Sequence, residues 1–204
     1  MTHAELKAAI ASWLKRTDLT TAIPTFIQLA EARIARELRL RTQITFTTIT
    51  ASSGSAALPS DFLEFKALVY ADDSTPIRVG SLEQVLTDRA RINGYRPKFC
   101  MVTGDALQFG PSADSSYDIS AAYYAKFDAL SADADTNWLL TNHPGVYLWA
   151  ACAEAAPWMQ DDEHVVTWEA KYAQEKQALK DADKAAEFSG TGLEMSFINS
   201  QEVV

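Results

Sequence analysis

Apolar residues recur at helical spacing near the N-terminus. Residues 2–16 carry one such stripe, and Thr2 with Glu5 forms the pattern of a capping box at its start. A second stripe has Pro24 in its first turn, where a proline is tolerated, and it comprises Ile23, Phe26, Ile27, Ala30, Ile34 and Leu38. These patterns predict two helices within residues 1–42.

Beyond Thr42 the pattern changes to short alternating segments. Residues 44–52 alternate and are rich in β-branched side chains, which indicates a strand. Further strand-like segments cover residues 57–72, 75–80, 98–110 and 116–127. A helix over residues 81–92 interrupts them, with Ser81 as its expected N-cap, and Thr103 is expected to begin a hairpin turn that contains Gly104. We therefore predict a β-rich section over residues 43–136.

Helical periodicity returns over residues 137–188. Residues 145–159 are so apolar that most of this helix must be buried, either in a core or against a neighbouring subunit. A long amphipathic helix follows, and its predicted apolar face is Val165, Trp168, Tyr172, Leu179 and Ala182. Periodicity is lost over residues 189–204, which is typical of an extended segment that pairs with a partner.

The simplest fold for this order of elements is of the α+β class. We expect the N-terminal helices of residues 1–42 and the C-terminal helices of residues 137–188 to form one antiparallel α-helical bundle. Residues 43–136 would be an inserted β-rich subdomain, and residues 189–204 an extended C-terminal tail.

Composition narrows the class of protein. The 204 residues are 48% hydrophobic and carry 18 basic against 27 acidic side chains, a formal net charge of −9. A protein that binds DNA through counterion release usually has the opposite sign, so a generic nucleic-acid binder is disfavoured. Cys100 and Cys152 form no CxxC pair, and no apolar run approaches the ~18 residues of a membrane span. We expect a soluble protein with reduced cysteines.

Basic side chains are concentrated in two stretches. The first lies in and just after the second predicted helix. It contains Arg33, Arg36, Arg39 and Arg41 together with Glu31 and Glu37. Pairs four residues apart, Arg33 with Glu37 and Glu37 with Arg41, are expected to neutralise part of it. The second stretch contains Arg89, Arg91, Arg96 and Lys98. Both could contact phosphates, but solvated or subunit-facing salt bridges are the favoured interpretation.

No catalytic or metal-binding motif is present in the sequence. The three histidines, His3, His143 and His164, lack the spacing of metal ligands. Asp133, Asp135 and Asn137 resemble the start of an EF-hand loop, but the glycine and the glutamate that such a loop requires are absent. Nucleophile-elbow, Walker and dinucleotide-binding patterns are also absent. The sequence predicts no catalytic residue, no cofactor and no metal.

Five segments, in this order, carry a resemblance to a known family. They are IPTFIQLAEARIARELR, LPSDFLE, VTGDALQFGP, YDISAAYYAKFDALS and TNWLLTNHPGVYLWAACAEAAPWMQDDE. Together they resemble the head-to-tail adaptor (connector) proteins of tailed bacteriophages, the short-tailed type in particular. The resemblance extends from about residue 6 to residue 188.

The resemblance implies a structural virion protein that is not an enzyme. Members of this family form a ring, usually a homo-dodecamer, that docks beneath the portal protein and continues the DNA channel. The implied partners are the portal protein and a tail nozzle or tail-hub protein, with tail fibres as further candidates. DNA would pass without sequence-specific binding, and no membrane is involved in the mature virion neck. The implied location is the head–tail interface of the virion, with host cytoplasm during assembly.

Two sets of site residues follow from the resemblance. The C-terminal tail would dock onto the portal, and its candidate residues are Gly190, Leu193, Met195, Phe197 and Ile198. The second set would face a neighbouring subunit or the channel, and it comprises Arg33, Arg36, Glu37, Arg39 and Arg41. In such a ring the helical part braces the assembly, and the β-rich part faces the tail.

Two alternatives come from other functional classes. A small cell-wall hydrolase with an unrecognised site would make a carboxylate such as Asp61 or Glu64 indispensable. A DNA-binding module would show salt-dependent affinity for duplex DNA.

Overall fold

A computed structural model of the chain describes residues 1–52, 54–91, 96–112, 115–159 and 162–187, and these form a mixed α+β fold. The helices within them are α1 (His3–Leu14), α2 (Ile23–Glu37), α3 (Leu82–Arg91), α4 (Trp138–Asn142), α5 (Pro144–Met159) and α6 (Asp162–Glu187). The strands are β1 (Ile44–Ala51), β2 (Ser55–Ala57), β3 (Phe62–Tyr70), β4 (Arg78–Val79), β5 (Phe99–Thr103), β6 (Ala106–Gly110) and β7 (Tyr117–Ala125).

The first helix has the predicted capping box, and the second has Pro24 in its first turn as predicted but ends early. In α1 the Thr2 side chain accepts from the Glu5 backbone N–H while the Glu5 carboxylate accepts from the Thr2 N–H, which confirms the capping box. Helix α2 ends at Glu37, because Leu38 is extended with φ −105° and ψ 134°. The predicted stripe ran through Leu38 and is buried as expected, but Leu38 itself is outside the α-helix.

Helices from both ends of the chain share one hydrophobic core. Helix α5 is central and packs against α1, α2, α4 and α6. Its buried residues are Val146, Tyr147, Ala150, Ala151, Cys152, Ala153, Ala155 and Ala156. The small alanine side chains allow neighbouring backbones to approach closely, so the apolarity of this helix is explained by the core of the chain itself. The antiparallel arrangement of the bundle stays a prediction.

Helix α6 presents a shorter apolar face than predicted. Trp168, Tyr172 and Leu179 are buried and Val165 is partly buried, whereas Ala182 is exposed. The prediction for Ala182 was therefore wrong. Asp183, one residue later, bonds to Arg41 instead, so the end of α6 is held by polar contacts.

The β-rich part contains two sheets around a second core. One sheet has the order β1-β7-β3 and is antiparallel; the other has the order β2-β6-β5-β4, in which β4 and β5 are parallel. The predicted hairpin joins β5 to β6, with Gly104 at φ +61°, a backbone conformation that favours glycine. Ser81 caps α3 as predicted, its Oγ accepting from the Gln84 N–H at 3.2 Å.

Buried polar side chains fix the junction between the helical and β-rich parts. Gln43 accepts the Leu40 N–H at 2.9 Å and donates to the Ala125 carbonyl at 3.0 Å, which ties the start of β1 to the end of β7. The Asn137 side chain caps α4 by accepting from the Leu140 N–H at 2.9 Å. These roles are structural. The predicted domain boundaries stay predictions.

Candidate functional site

The arginine stretch singled out in the sequence divides at the end of α2. Arg33 and Arg36 lie on the helix, whereas Arg39 follows it in non-helical backbone and Arg41 begins a short 3-10 helix, Arg41–Gln43. The predicted Arg33–Glu37 pair is present, with Arg33 Nε 3.1 Å from Glu37 Oε1. The predicted Glu37–Arg41 pair was wrong, because Arg41 pairs with Asp183 at 3.4 Å. The helix ends before Arg41, so the four-residue spacing no longer brings these side chains together.

Arg33 lies at the centre of a charge cluster that joins three helices. Its two terminal nitrogens each donate to Glu169 of α6 at 2.7 Å, a bidentate pair. Its Nη1 is 3.5 Å from Glu154 of α5, and its guanidinium stacks over the Tyr172 ring at 4.4 Å from the centroid. We call Arg33, Glu37, Glu154, Glu169, Tyr172 and Lys176 the Arg33 cluster.

Glu37 is the second centre of the Arg33 cluster. Its Oε2 accepts from Lys176 Nζ at 2.6 Å and from the Tyr172 hydroxyl at 3.0 Å. Burial favours the neutral acid, but the hydrogen bonds from Lys176, Tyr172 and Arg33 outweigh it and lower the pKa of Glu37 to about 2. The hydrogen bond to Glu169 raises the pKa of Arg33 above its usual range. Glu37 and Arg33 are therefore both charged, and each has a partner of opposite charge in the same chain.

The two arginines beyond the helix also have partners in the same chain. Arg39 Nη1 donates to the Ala35 and Leu38 carbonyls at 2.7 Å, satisfying backbone acceptors at the helix end, and its Nε is 3.1 Å from Glu64 of β3. The backbone N–H of Arg41 donates to the Asp183 carboxylate at 3.2 Å. These contacts connect α2 to β3 and to the end of α6.

Arg36 differs from the other three arginines. It is exposed, and none of the described residues forms an ion pair with it. It borders a cleft of about 520 Å³ between α2, β3 and residues 126–129. Arg36 is therefore the member of the predicted set that is available to an external group.

The second basic stretch is also used inside the chain. Arg89 donates to the Phe109 carbonyl at 2.8 Å and to the Gly54 carbonyl. Arg96 pairs with Asp72 and Asp73, the latter at 2.6 Å. The side chain of Arg91 lies outside the described residues. Arg89 and Arg96 therefore form hydrogen bonds and salt bridges within the chain, in agreement with the favoured interpretation of this stretch.

Three exposed apolar side chains lie on the three helices that the Arg33 cluster joins, and sequence periodicity did not single them out. They are Leu29 on α2, Trp158 on α5 and Val166 on α6, with exposed fractions of 48%, 59% and 73%. Each is one helical turn from a carboxylate or guanidinium of the Arg33 cluster, and the Trp158 ring is 6.0 Å from that of Phe26. We call these three residues the apolar patch.

The carboxylates considered for a hydrolase have separate structural partners. Asp61 accepts a hydrogen bond from the Tyr123 hydroxyl at 3.0 Å, and Glu64 pairs with Arg39.

Burial raises the pKa of both cysteine thiols, Cys100 and Cys152, to about 12, so they are poor nucleophiles. Over the described ranges, no group of three His, Cys, Asp or Glu residues is placed to hold a metal ion.

The predicted portal-docking residues lie outside the described part of the chain. They are Gly190, Leu193, Met195, Phe197 and Ile198. Among the described helices, none is both long and apolar enough to cross a membrane.

Comparison with known proteins identifies the family. The chain matches none of the curated proteins. A family model described as "SU10 adaptor protein" matches residues 1–193. The match confirms the predicted resemblance to phage adaptors, while the short-tailed type stays a prediction. Since the matched residues make up nearly the whole chain, this protein belongs to the SU10 adaptor protein family.

Proposed function

We propose that this protein is the head–tail adaptor of a tailed phage, a structural subunit that forms a ring beneath the portal and continues the DNA channel. The observation that carries the proposal is the family match over residues 1–193. Membership of a phage adaptor family implies a virion location and association with portal and tail components. The family is one of structural adaptors and not of enzymes.

The charge of the chain suits a conduit for DNA. A net charge of −9 repels phosphates on average, so DNA can move past such a subunit without being held. Three of the four arginines of the second-helix stretch already have carboxylate partners in their own chain. In this proposal Arg33, Glu37, Arg39 and Arg41 keep the subunit rigid. Arg36 is the residue left to meet a neighbouring subunit or the channel.

The apolar patch is the surface that we assign to contact between subunits. Leu29, Trp158 and Val166 come from three helices that ion pairs of the Arg33 cluster join, and in this proposal the three side chains contribute to one contact surface. Exposed apolar side chains gain from burial in a protein–protein contact, and tryptophan is enriched among the residues that dominate such interfaces. The ring of twelve remains part of the proposal.

The subunit contact can be tested separately from portal binding. We expect Trp158→Ser together with Val166→Ser to reduce the mass of the portal-bound assembly, because both changes remove apolar area from the contact. Phe46→Ser is the matched control, since Phe46 is 78% exposed on β1 in the β-rich part. If the double variant assembled as the unaltered protein does, the apolar patch would not be part of the interface.

The C-terminal tail is proposed to bind the portal. An extended segment loses about 1–2 kcal/mol of backbone entropy per ordered residue. Burial of Leu193, Met195 and Phe197, at about 1.5–3 kcal/mol for each fully buried side chain, offsets much of this loss. Several tails acting on one portal ring would strengthen the contact by avidity.

Deletion of residues 190–204 tests the proposed function. The truncated protein should keep the circular dichroism and melting temperature of the full chain, because the described cores lie before residue 188. It should fail to co-sediment with its cognate portal. A truncated protein that binds the portal as the full chain does would contradict tail docking, and a full chain that ignores the portal would contradict the adaptor function.

A further inference from the structure

The cleft beside Arg36 has an apolar interior. It lies between α2, β3 and residues 126–129, and its volume is about 520 Å³. Apolar side chains from all three elements line it, namely Ile34, Leu63 and Phe127, and Tyr147 of α5 lines it as well. A cleft of this size accommodates two or three apolar side chains of a peptide.

The rim of this cleft carries excess positive charge. Arg36 and Lys126 are exposed, and neither has an ion-pair partner among the described residues. Arg39 is also on the rim and pairs with Glu64 through one nitrogen. Among the described residues, Glu31 is the one carboxylate that lines the cleft; it accepts the Leu130 N–H at 2.9 Å, and burial raises its pKa. The rim therefore fits an occupant that carries carboxylates.

The end of α6 lies at a cleft that adjoins this one. Glu187, the last residue of α6, lines a neighbouring cleft of about 510 Å³ together with Arg39 and Arg41. Arg39 borders both clefts, so the chain leaves α6 beside the cleft of Arg36. Seventeen residues follow Glu187, and at ~3.3 Å per extended residue their reach is about 55 Å. Length therefore does not prevent the segment from entering the cleft.

The residues that follow α6 have the matching chemistry. Residues 188–204 contain Glu194 and Glu202 and no lysine, arginine or histidine. Around these acids lie the apolar residues Leu193, Met195, Phe197, Ile198, Val203 and Val204. Within an otherwise mixed-charge chain, this segment combines apolar and acidic groups in the way that the cleft requires.

We propose that the cleft binds residues 193–204 of the same chain when no partner is bound. Apolar side chains of the segment occupy the cleft, and Glu194 or Glu202 lies against Arg36 and Lys126. The cleft would then hold the segment that is proposed to dock on the portal, and release would precede docking. The inference concerns the free subunit, so its test needs no portal and its failure would leave the adaptor function untouched.

Hydrogen–deuterium exchange of the full chain is the test. The double variant Arg36→Glu, Lys126→Glu reverses the charge of the rim. We expect it to speed amide exchange in residues 193–204 by about three- to tenfold, as expected for losing two partly exposed charge contacts. The control is Arg78→Glu with Lys98→Glu, which makes the same change of charge at exposed positions away from the cleft. The control should exchange as the unaltered protein does.

A charge swap and a dilution series complete the test. Glu194→Lys with Glu202→Lys, added to the rim variant, should restore slow exchange because the charge complementarity is restored. Equal exchange in the unaltered, rim and control proteins would overturn the proposal. Protection that falls on tenfold dilution, with a mass above that of one chain, would also overturn it, because a second copy would then fill the cleft.

Discussion

The helical and β-rich parts of this protein are stabilised in different ways. The helical core brings together apolar side chains from α1, α2, α5 and α6, and the alanines of α5 let these helices pack closely. The β-rich core is smaller and is centred on Tyr70, Leu107 and Phe109. It is supplemented by arginines that reach backbone carbonyls and aromatic rings, such as Arg96, whose guanidinium is 3.7 Å from the Tyr70 ring centroid.

The difference indicates where each part is vulnerable. In the helical part, stability is spread over many apolar contacts, so large effects should come from changes of side-chain volume. In the β-rich part, a few arginine hydrogen bonds join segments that are distant in sequence, so single polar substitutions should have local effects. The apolar patch is on the first part, which is consistent with the proposal that this part braces the assembly.

The largest expected effect is that of Ile27→Ala. Ile27 is buried between helices of the larger core, and a cavity at such a site costs about 2–5 kcal/mol. Chemical denaturation should show this loss, with slow-exchanging amides in α5 and α6 losing protection together. Leu29→Ala, on the same helix but exposed, is the control and should change stability by at most about 0.5 kcal/mol. Similar losses in the two variants would contradict the assigned core.

Arg89→Ala should have the next largest effect, confined to the β-rich part. The change leaves the Phe109 carbonyl without the Arg89 hydrogen bond and loosens α3 from β6, at a cost of about 1–3 kcal/mol. Amide exchange should speed in β2 and β6 and stay unchanged in α5. Arg78→Ala, at an exposed position on β4, is the control. If amide exchange in α5 sped up as much as in β2 and β6, the effect of Arg89 would not be confined to the β-rich part.

Arg33→Ala should weaken the helical part by about 1–2 kcal/mol, because the cluster is partly exposed and solvent replaces some of its interactions. The carboxylates of Glu37 and Glu169 would lose their guanidinium partner. Arg36→Ala, on the same helix and without an ion pair among the described residues, should leave the melting temperature nearly unchanged. A larger loss for Arg36→Ala than for Arg33→Ala would contradict the cluster.

The smallest effect that we predict is a dependence of stability on acid pH. The pKa of Glu37 is lowered from about 4.5 in the unfolded chain to about 2, so its ionised form stabilises the fold fully only above the unfolded value. As pH falls from about 4.5 to 2, this stabilisation should be lost, on the order of 1 kcal/mol after solvent screening. Glu37→Gln should remove this part of the pH dependence. An unchanged profile would mean that Glu37 is not held in ionised form.

Local patterns were sufficient to predict most elements of the fold. The capping box at Thr2, the cap at Ser81 and the hairpin at Gly104 each depend on neighbouring residues, and each is present. The end of α2 was not predictable in this way, because Leu38 continues the apolar stripe although its backbone is extended. At this end Arg39 donates to the Ala35 carbonyl and pairs with Glu64 of β3, a contact between residues that are distant in sequence.

The partners of the charged residues were the least predictable feature. Glu37 bonds to Lys176, and Arg41 to Asp183, across more than a hundred residues of sequence. Spacing within one helix revealed the pair of Arg33 and Glu37 but gave no indication of these long-range pairs. The apolar patch escaped prediction for the same reason, since its members come from three helices whose relative positions the sequence does not encode locally.

The proposal that this chain is an adaptor that assembles on a portal can be tested by light scattering. The purified protein would be measured alone and after mixing with its cognate portal. We expect a portal-bound species whose mass equals that of the portal ring plus a full ring of subunits. A mixture in which the two masses remain those of the separate proteins would show that the chain is not a portal-bound adaptor.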